Sequence, residues 1–148
     1  MKQLKVDAIK NGTVIDHIPA GIALKVFDIL NPQTQYVATI GMNLSSKALG
    51  KKDLIKIEGI ELSAKEVNRI ALAAPDATLT IIRDYEVHQK AMVQIPEKIS
   101  AAVKCPNMKC ITNDEEIETS FKREKGSGSA SLRCKYCERL FHVHEFEV

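Results

Sequence analysis

The stretch Lys10-Asn-Gly-Thr-Val-Ile-Asp-His-Ile-Pro19 decides how the first part of the chain folds. Asn-Gly supplies the positive φ angles that a tight hairpin turn needs. We therefore expect one strand over residues 4–9 and a second over residues 13–18. Pro19 suits the first turn of the helix that follows, because its missing N–H and fixed φ are tolerated there.

Two helical patterns follow this strand. Apolar residues recur at helical spacing over residues 22–30, until Asn31-Pro32 ends the pattern. The second helix begins at Ser63 and Glu66, which have the spacing of a capping box, and ends at Ala74-Pro75. Each helix has an apolar stripe, which predicts that both pack on a sheet.

Further strands are indicated by alternation over residues 38–44, around Ile55 and Ile57, and over residues 78–83 and 85–93, with a loop over residues 45–52. The order of strands and helices does not alternate as a doubly wound sheet requires. It predicts an α+β, ferredoxin-like sandwich with two helices on one face of a mainly antiparallel sheet.

The composition changes near residues 94–99, where Pro96 opposes a continuous strand or helix. We expect a first domain over residues 1–96 and a small all-β domain over residues 97–148. The Gly/Ser-rich segment 125–131 is predicted to be a mobile surface loop.

Charge and hydropathy exclude several classes of protein. The 148 residues carry a formal charge of +2, with 12 basic and 10 acidic residues before residue 95, and 9 of each after it. Neither part is a basic module, and no apolar run reaches the roughly 18–20 residues of a membrane span. We expect a cytoplasmic protein without membrane or nucleic-acid partners. In that compartment the four cysteines are more consistent with thiols or metal ligands than with disulfides.

The cysteines form two close pairs, Cys105-Pro-Asn-Met-Lys-Cys110 and Cys134-Lys-Tyr-Cys137, separated by a long loop. This spacing is typical of a tetrahedral Cys₄ zinc site, with one Zn²⁺ per chain. Four thiolates leave no position for a reactive water, so the zinc is predicted to be structural rather than catalytic. A region of this size also needs the metal in order to fold.

The sequence leaves three alternatives to a structural zinc site of four cysteines. The cysteines could be unrelated thiols or disulfides, and His142 or His144 could replace one of them as a ligand. The region could also be a zinc ribbon that binds nucleic acid. Its balanced charge and the acidic stretch Asp114-Glu115-Glu116 argue against this last alternative.

Four motifs resemble one family in order and spacing. They are Gly12-Thr-Val-Ile-Asp-His-Ile-Pro19, Gly50-Lys-Lys-Asp-Leu-Ile-Lys-Ile-Glu58, Asp84-Tyr-Glu-Val87, and the cysteine pairs with Ile111 and Glu138. Together they resemble the regulatory subunit of aspartate carbamoyltransferase. The resemblance implies a non-catalytic chain that binds CTP as inhibitor and ATP as activator, with UTP left open, in pyrimidine biosynthesis. It also implies a dimer of regulatory chains, within a complex of six catalytic and six regulatory chains.

The resemblance implies a set of site residues in each domain. The residues expected to contact the nucleotide are Ala8, Ile9, Val14, Asp16, His17, Lys56, Tyr85, Val87 and Lys90. Those expected to contact the catalytic subunit are Asn107, Tyr136, Glu138 and Arg139. Zinc is expected at Cys105, Cys110, Cys134 and Cys137.

The chemistry of these side chains suits a nucleotide. Lys90 and His17 can hold phosphate, Lys56 can reach the ribose or base, and Asp16 can accept a ribose hydroxyl. Without the motifs, the two lysines would be interpreted as solvated strand residues. His88 is interpreted either as a further phosphate contact or as a solvent-facing residue.

Overall fold

The computed structural model describes residues 8–124 and 130–147. The strands are β1 (Gly12–Pro19), β2 (Ala38–Ser46), β3 (Gly50–Glu58), β4 (Thr78–Arg83), β5 (Glu86–Met92), β6 (Lys98–Ser100), β7 (Ser120–Glu124), β8 (Ser131–Cys134) and β9 (Leu140–His142). The helices are α1 (Ala23–Leu30), α2 (Ala64–Ala73), α3 (Ile111–Asp114) and a 3-10 helix over Val143–Glu145. None of these helices is long and apolar enough to span a membrane.

The first sheet has the strand order β2-β3-β1-β4-β5, and every pair in it is antiparallel. The first four strands, with the two helices, form the βαββαβ arrangement of a ferredoxin-like sandwich, and β5 adds an edge strand. The second sheet has the order β6-β7-β8-β9 and is also antiparallel. The predicted α+β class is confirmed, and the second region is built on this β sheet, to which α3 and the 3-10 helix are added.

The core of the first sheet lies under the two helices. Ile15, Ile55 and Ile57 on the strands, together with Val26 and Ile70 on the helices, are all at least 98% buried. Burying each such side chain contributes roughly 1.5–3 kcal/mol. Both predicted helices form. In α2 the expected capping box is present between Ser63 and Glu66.

Several predicted boundaries were wrong. Pro19 is the last residue of β1 and not part of α1, which begins at Ala23. The predicted loop over 45–52 is mostly strand, because β2 continues to Ser46 and β3 begins at Gly50. Pro19 is tolerated in the strand because it pairs with Lys52 on β3 only, beyond the end of the β1–β4 pairing at Asp16. The polar residues 50–52 form strand because β3 is paired on both sides, which overrides their weak local preference. The strand predicted over residues 85–93 begins one residue later, because Tyr85 lies in a turn before β5.

Two predicted segments fall largely outside the described residues. Of the strand expected over residues 4–9, the structure describes Ala8 and Ile9, which are not in a strand. Of the loop expected over residues 125–131, it describes Ala130 and Ser131, and Ser131 begins β8.

Asp53 on β3 is a buried carboxylate that joins three parts of the first sheet. Its Oδ2 accepts hydrogen bonds from the backbone N–H groups of Gly21, at 2.8 Å, and Ala23, at 3.0 Å. Its Oδ1 accepts one from Asn43 at 2.9 Å, at the irregularity in the pairing of β2 with β3. The negative charge also lies at the N-terminus of α1, where the helix dipole favours it.

We predict that Asp53→Ala lowers the free energy of unfolding by about 3 kcal/mol or more, because three backbone donors lose a charged acceptor. Urea denaturation of the zinc-loaded chain, followed by far-UV circular dichroism, measures this change. Asp28→Ala, an exposed carboxylate on α1, is the matched control and is expected to be neutral. A loss below about 1 kcal/mol for Asp53→Ala would contradict the prediction.

Candidate functional site

Strand register places one residue from each strand in a single row across the first sheet. Val14 on β1 lies opposite Lys56 on β3 and Thr80 on β4. Thr39 continues the row on β2, and Lys90 continues it on β5. Because successive side chains of a strand point to opposite faces, this row faces away from the helix-covered core.

The row opens into a cavity of about 230 Å³ on that face. Five of the predicted nucleotide contacts line it. Among the described residues, those that line it are Val14, Asp16, His17, Leu54, Lys56, Thr78, Thr80, Ile82 and Lys90. Cavities that enclose a whole small ligand usually measure about 300–1,000 Å³, so this one has room for part of a nucleotide. Its two lysines and one histidine favour an anionic group.

Asp16 and His17 lie at an irregularity in the pairing of β1 with β3. His17 has a φ of 57°, and its backbone N–H donates to Asp16 Oδ1 at 2.6 Å. The ring Nδ1 of His17 lies 3.1 Å from Thr78 Oγ1. The distorted backbone therefore turns both side chains toward the cavity, and Thr78 fixes the orientation of the imidazole.

Lys52 forms an ion pair with Asp16, with Nζ and Oδ1 separated by 2.8 Å. Burial raises the pKa of Asp16, but the hydrogen bonds from Lys52 and from the His17 backbone outweigh burial, so this pKa lies below its ordinary value. Asp16 is therefore an anion at neutral pH and can accept hydrogen bonds but cannot donate them.

The other predicted contacts lie outside the cavity lining. Ile9 is buried, whereas Ala8 is exposed and Tyr85 and Val87 are 67% and 62% exposed. Val87 is paired with Ile82, which does line the cavity, so the turn before β5 borders one end of it.

His88 does not line the cavity. Its Nε2 lies 3.0 Å from Nη1 of Arg83, which in turn forms an ion pair with Glu61. Of the two interpretations of His88, the structure therefore favours the one without a phosphate contact.

Four lining residues were missed by sequence analysis: Leu54, Thr78, Thr80 and Ile82. Their strand pattern indicates a face but gives no register, and register is what brings Thr80 between Val14 and Lys90. A prediction would have needed the β1–β4 alignment, which joins residues more than 60 positions apart.

A larger cleft of about 820 Å³ lies between α2 and the second sheet's loops, with Lys65 and Arg69 on one wall and Glu115, Glu116 and Glu118 on the other. It contains none of the predicted site residues.

The four cysteines converge in the second sheet's region. Their Sγ atoms all lie within 4.8 Å of one another. The Sγ atoms of Cys105 and Cys137 are 3.8 Å apart, as are those of Cys110 and Cys134. A tetrahedral ion with metal–sulfur bonds of about 2.3 Å has sulfur–sulfur edges of about 3.8 Å, so the four thiols fit one metal ion.

Local hydrogen bonds shape the first cysteine loop. The backbone N–H of Cys110 donates to the carbonyl of Asn107 at 2.9 Å. The side-chain amide of Asn113 donates to the carbonyls of Cys105, at 3.0 Å, and Asn107, at 2.8 Å. In the second loop, the N–H of Glu138 donates to the carbonyl of Cys134 at 3.0 Å. Both loops are thus bent back so that each presents two sulfurs on one side.

Burial and local hydrogen bonds shift the pKa values of three of these thiols. Burial raises the pKa of the Cys105 and Cys134 thiols. Burial acts in the same direction on Cys110, but hydrogen bonds from the side chain and backbone of Thr112 outweigh it and lower the pKa of Cys110 to about 7. Buried thiolates need a neighbouring positive charge, and a bound metal ion supplies it.

The four predicted interface residues all lie on the cysteine loops. Tyr136, Glu138 and Arg139 are exposed, and Asn107 is half-buried. The side chain of Asn107 accepts a hydrogen bond from the N–H of Lys109 at 3.1 Å, so it also stabilises its own loop. Two exposed apolar side chains lie close to Asn107 in sequence, Met108 at 86% and Ile111 at 46% exposure.

Two family models match the chain. The model described as aspartate carbamoyltransferase regulatory chain, allosteric domain, matches residues 4–94. The model described as aspartate carbamoyltransferase regulatory chain, metal binding domain, matches residues 97–147. Between them they cover both sheets, the cavity and the cysteine cluster.

Curated relatives from bacteria and an archaeon have the same name, aspartate carbamoyltransferase regulatory chain. The protein of Proteus mirabilis (strain HI4320) is 47% identical over 143 residues, covering 96% of this chain and 94% of the relative. That of Vibrio cholerae serotype O1 (strain M66-2) is 49% identical over 142 residues, covering 94% and 90%. That of Methanocaldococcus jannaschii is 47% identical over 147 residues, covering 99% and 98%. The chain therefore belongs to the family of aspartate carbamoyltransferase regulatory chains, which are non-catalytic subunits with an allosteric and a metal-binding domain.

Proposed function

We propose that this chain binds CTP as an inhibitor and ATP as an activator and transmits the effect to the catalytic subunit. The observation that carries this proposal is the row of Lys56, Val14, Thr80 and Lys90, with His17 beside it, around one cavity on the open sheet face. Lys90 and His17 would hold the phosphates. Asp16 would contact the ribose, Lys56 the ribose or the base, and the base would be surrounded by Ala8, Ile9, Val14, Tyr85 and Val87.

The proposed site can bind nucleotides reversibly because it supplies cations without a hydrolytic group. Asp16 is already neutralised by Lys52 and by the N–H of His17, so it is poorly placed to activate a water molecule. The two nucleotides share the triphosphate and ribose, which accounts for competition at one site.

We propose that the metal is one structural Zn²⁺ per chain, held by Cys105, Cys110, Cys134 and Cys137. A closed set of four thiolates is the donor set that structural zinc prefers. Its role would be to fix the two cysteine loops, which carry Asn107, Tyr136, Glu138 and Arg139 toward the catalytic subunit. The domains would meet between residues 96 and 97.

A short connector supports coupling between the domains. The β5 strand that carries Lys90 continues into residues 93–97, and the backbone of Val93 exchanges hydrogen bonds with Asp76 and Ala77. On the other side, Arg123 on β7 donates from its side chain to the carbonyl of Ile95 and from its N–H to the carbonyl of Glu97, each at 2.7 Å. Nucleotide contact at Lys90 would therefore act on a segment held at both ends.

The proposed assembly is cytoplasmic and contains dimers of this chain within a complex of six catalytic and six regulatory chains. Allosteric control requires that each nucleotide bind two quaternary states with different affinities, a difference of typically about 1–3 kcal/mol.

For the nucleotide site, we predict that Lys90→Ala weakens CTP and ATP binding on the order of 10- to 100-fold, because a charge-assisted phosphate contact is lost. Isothermal titration with CTP, ATP and UTP measures this, and zinc content should not change. Lys25→Ala, which removes an exposed lysine on α1, is the control. Undiminished CTP binding by Lys90→Ala would count against this site.

For the metal, we predict one zinc per chain by elemental analysis, and loss of it in Cys110→Ser. Chelation under reducing conditions should collapse the dispersed amide NMR signals of residues 97–147, because the metal supplies folding free energy there. Met108→Ser, an exposed change in the same loop, should keep the zinc. Iron in place of zinc, or a metal-free chain that keeps those signals, would disprove the assignment.

For the interface, we predict that Tyr136→Ala weakens association with the cognate catalytic subunit roughly 5- to 30-fold, as expected when an exposed aromatic anchor is lost. Gel filtration at graded concentrations follows complex formation. Leu24→Ala on α1, at 56% exposure, is the control. Zinc content is measured in both variants, and unchanged association by zinc-loaded Tyr136→Ala would remove this residue from the proposed interface.

A further inference from the structure

The turn between β4 and β5 is held in a conformation that its second residue, Tyr85, does not favour. Asp84 has a φ of 52° and Tyr85 a φ of 65°. A two-residue turn with both φ values positive is usually made by Asn-Gly or Asp-Gly, so Asp84 suits its position, whereas Tyr85 occupies the one that glycine normally takes. This turn therefore depends on support from outside its own sequence.

That support comes from Lys10 and Asn11, which form the corner before β1. The side-chain Oδ1 of Asn11 accepts a hydrogen bond from the N–H of Asp84 at 3.1 Å. The carbonyl of Lys10 accepts one from the N–H of Tyr85, and the carbonyl of Asn11 accepts one from Gly59, both at 2.9 Å. Asn11 thus connects the turn to the end of β3 as well as to its own strand.

The corner itself has little freedom to move. Gly12 has a φ of 147°, and a Cβ at this position would lie 2.1 Å from the carbonyl oxygen of Ile57. The close approach of β1 to β3 therefore fixes the backbone position of Asn11. Its side-chain amide holds the turn from a backbone that has little freedom to move.

The supported turn lies at the end of the cavity away from its cations. Lys90 and Val14 share one row, the next row contains Gly12, Ile82 and Val87, and the turn follows. From Val14 to Asn11 is three residues, or about 10 Å along a strand. The cavity has room for only part of a nucleotide, so a ligand with its phosphates at Lys90 would extend its base toward the exposed side chains of Tyr85 and Val87.

We propose that Asn11 is a positioning residue that fixes the base-binding end of the site, and so determines how well the chain distinguishes a pyrimidine from a purine nucleotide. This inference rests on the proposed nucleotide binding. Asn11 acts through the turn and not by touching the ligand. The phosphate end lies about 10 Å further along the same β4–β5 pair, where the pairing of Lys90 with Thr80 holds it independently of Asn11.

The test compares three ligands on the full zinc-loaded chain by isothermal titration: CTP, ATP and inorganic tripolyphosphate. In Asn11→Ala we expect CTP to bind roughly fivefold to tenfold more weakly, as for loss of one hydrogen bond, and the CTP-to-ATP affinity ratio to change several-fold. Tripolyphosphate, which contacts only the cationic end, should bind as in the wild type. Amide hydrogen exchange at Asp84 should become faster.

Two further variants separate positioning from general damage. Asn11→Asp keeps an acceptor oxygen for the Asp84 N–H and is expected to restore most of the CTP-to-ATP ratio. Asn68→Ala, which removes an asparagine side chain on α2, should leave all three affinities unchanged.

An unchanged CTP-to-ATP ratio in Asn11→Ala would overturn the inference while leaving the proposed function in place. Equal weakening of all three ligands would also overturn it, because that result means loss of the whole site. A wild-type chain that binds tripolyphosphate but neither nucleotide would overturn the proposed function itself, and the inference with it.

Discussion

Strand β1 is hydrogen-bonded along both edges, and this double pairing is the constraint on which the rest of the first sheet depends. On one side it fixes Val14 opposite Lys56, and on the other it fixes Val14 opposite Thr80. A slip of one residue on either side would exchange the buried isoleucines for the cavity side chains. The same register therefore specifies both the apolar core and the polar face, so changes that disturb one also disturb the other.

Sequence patterns could predict the elements of this fold but not their alignment. The capping box at Ser63 is a local signal, because its two residues contact each other within one helical turn. The cavity depends instead on Thr80 reaching Val14 across 66 positions, and no local pattern carries that alignment. The cysteine cluster was predictable for another reason. Metal geometry restricts the spacing within each pair so strongly that the pairs can be identified without knowing the strands between them.

Two of the three irregularities in the pairing of the first sheet lie together, on either side of residues 52–55 of β3, and the third lies at Ile81 and Ile82 on β4. Asp53 holds the β2 irregularity and the start of α1, while His17 sits at the β1 irregularity beside the cavity. Such irregularities redirect side chains that a regular strand would place elsewhere. The fully buried carboxylate of Asp53 offsets their cost with three backbone hydrogen bonds. The family motif around residues 50–58 therefore combines a cavity-lining lysine with an internal support for the backbone around it.

The metal changes how the charge of the chain should be interpreted. The formal charge of +2 treats the four cysteines as neutral, whereas four thiolates with one divalent ion contribute −2 and cancel it. The metal-binding region has equal numbers of basic and acidic side chains, so four thiolates with one divalent ion would give it a negative net charge. A nucleic-acid polymer needs a continuous basic surface, which this region then lacks. A small anion needs only a few cationic or hydrogen-bonding groups at one point, and the first sheet places Lys56, Lys90 and His17 around one cavity. Overall neutrality and local positive charge are therefore compatible, and together they favour a small anionic effector over a polymer.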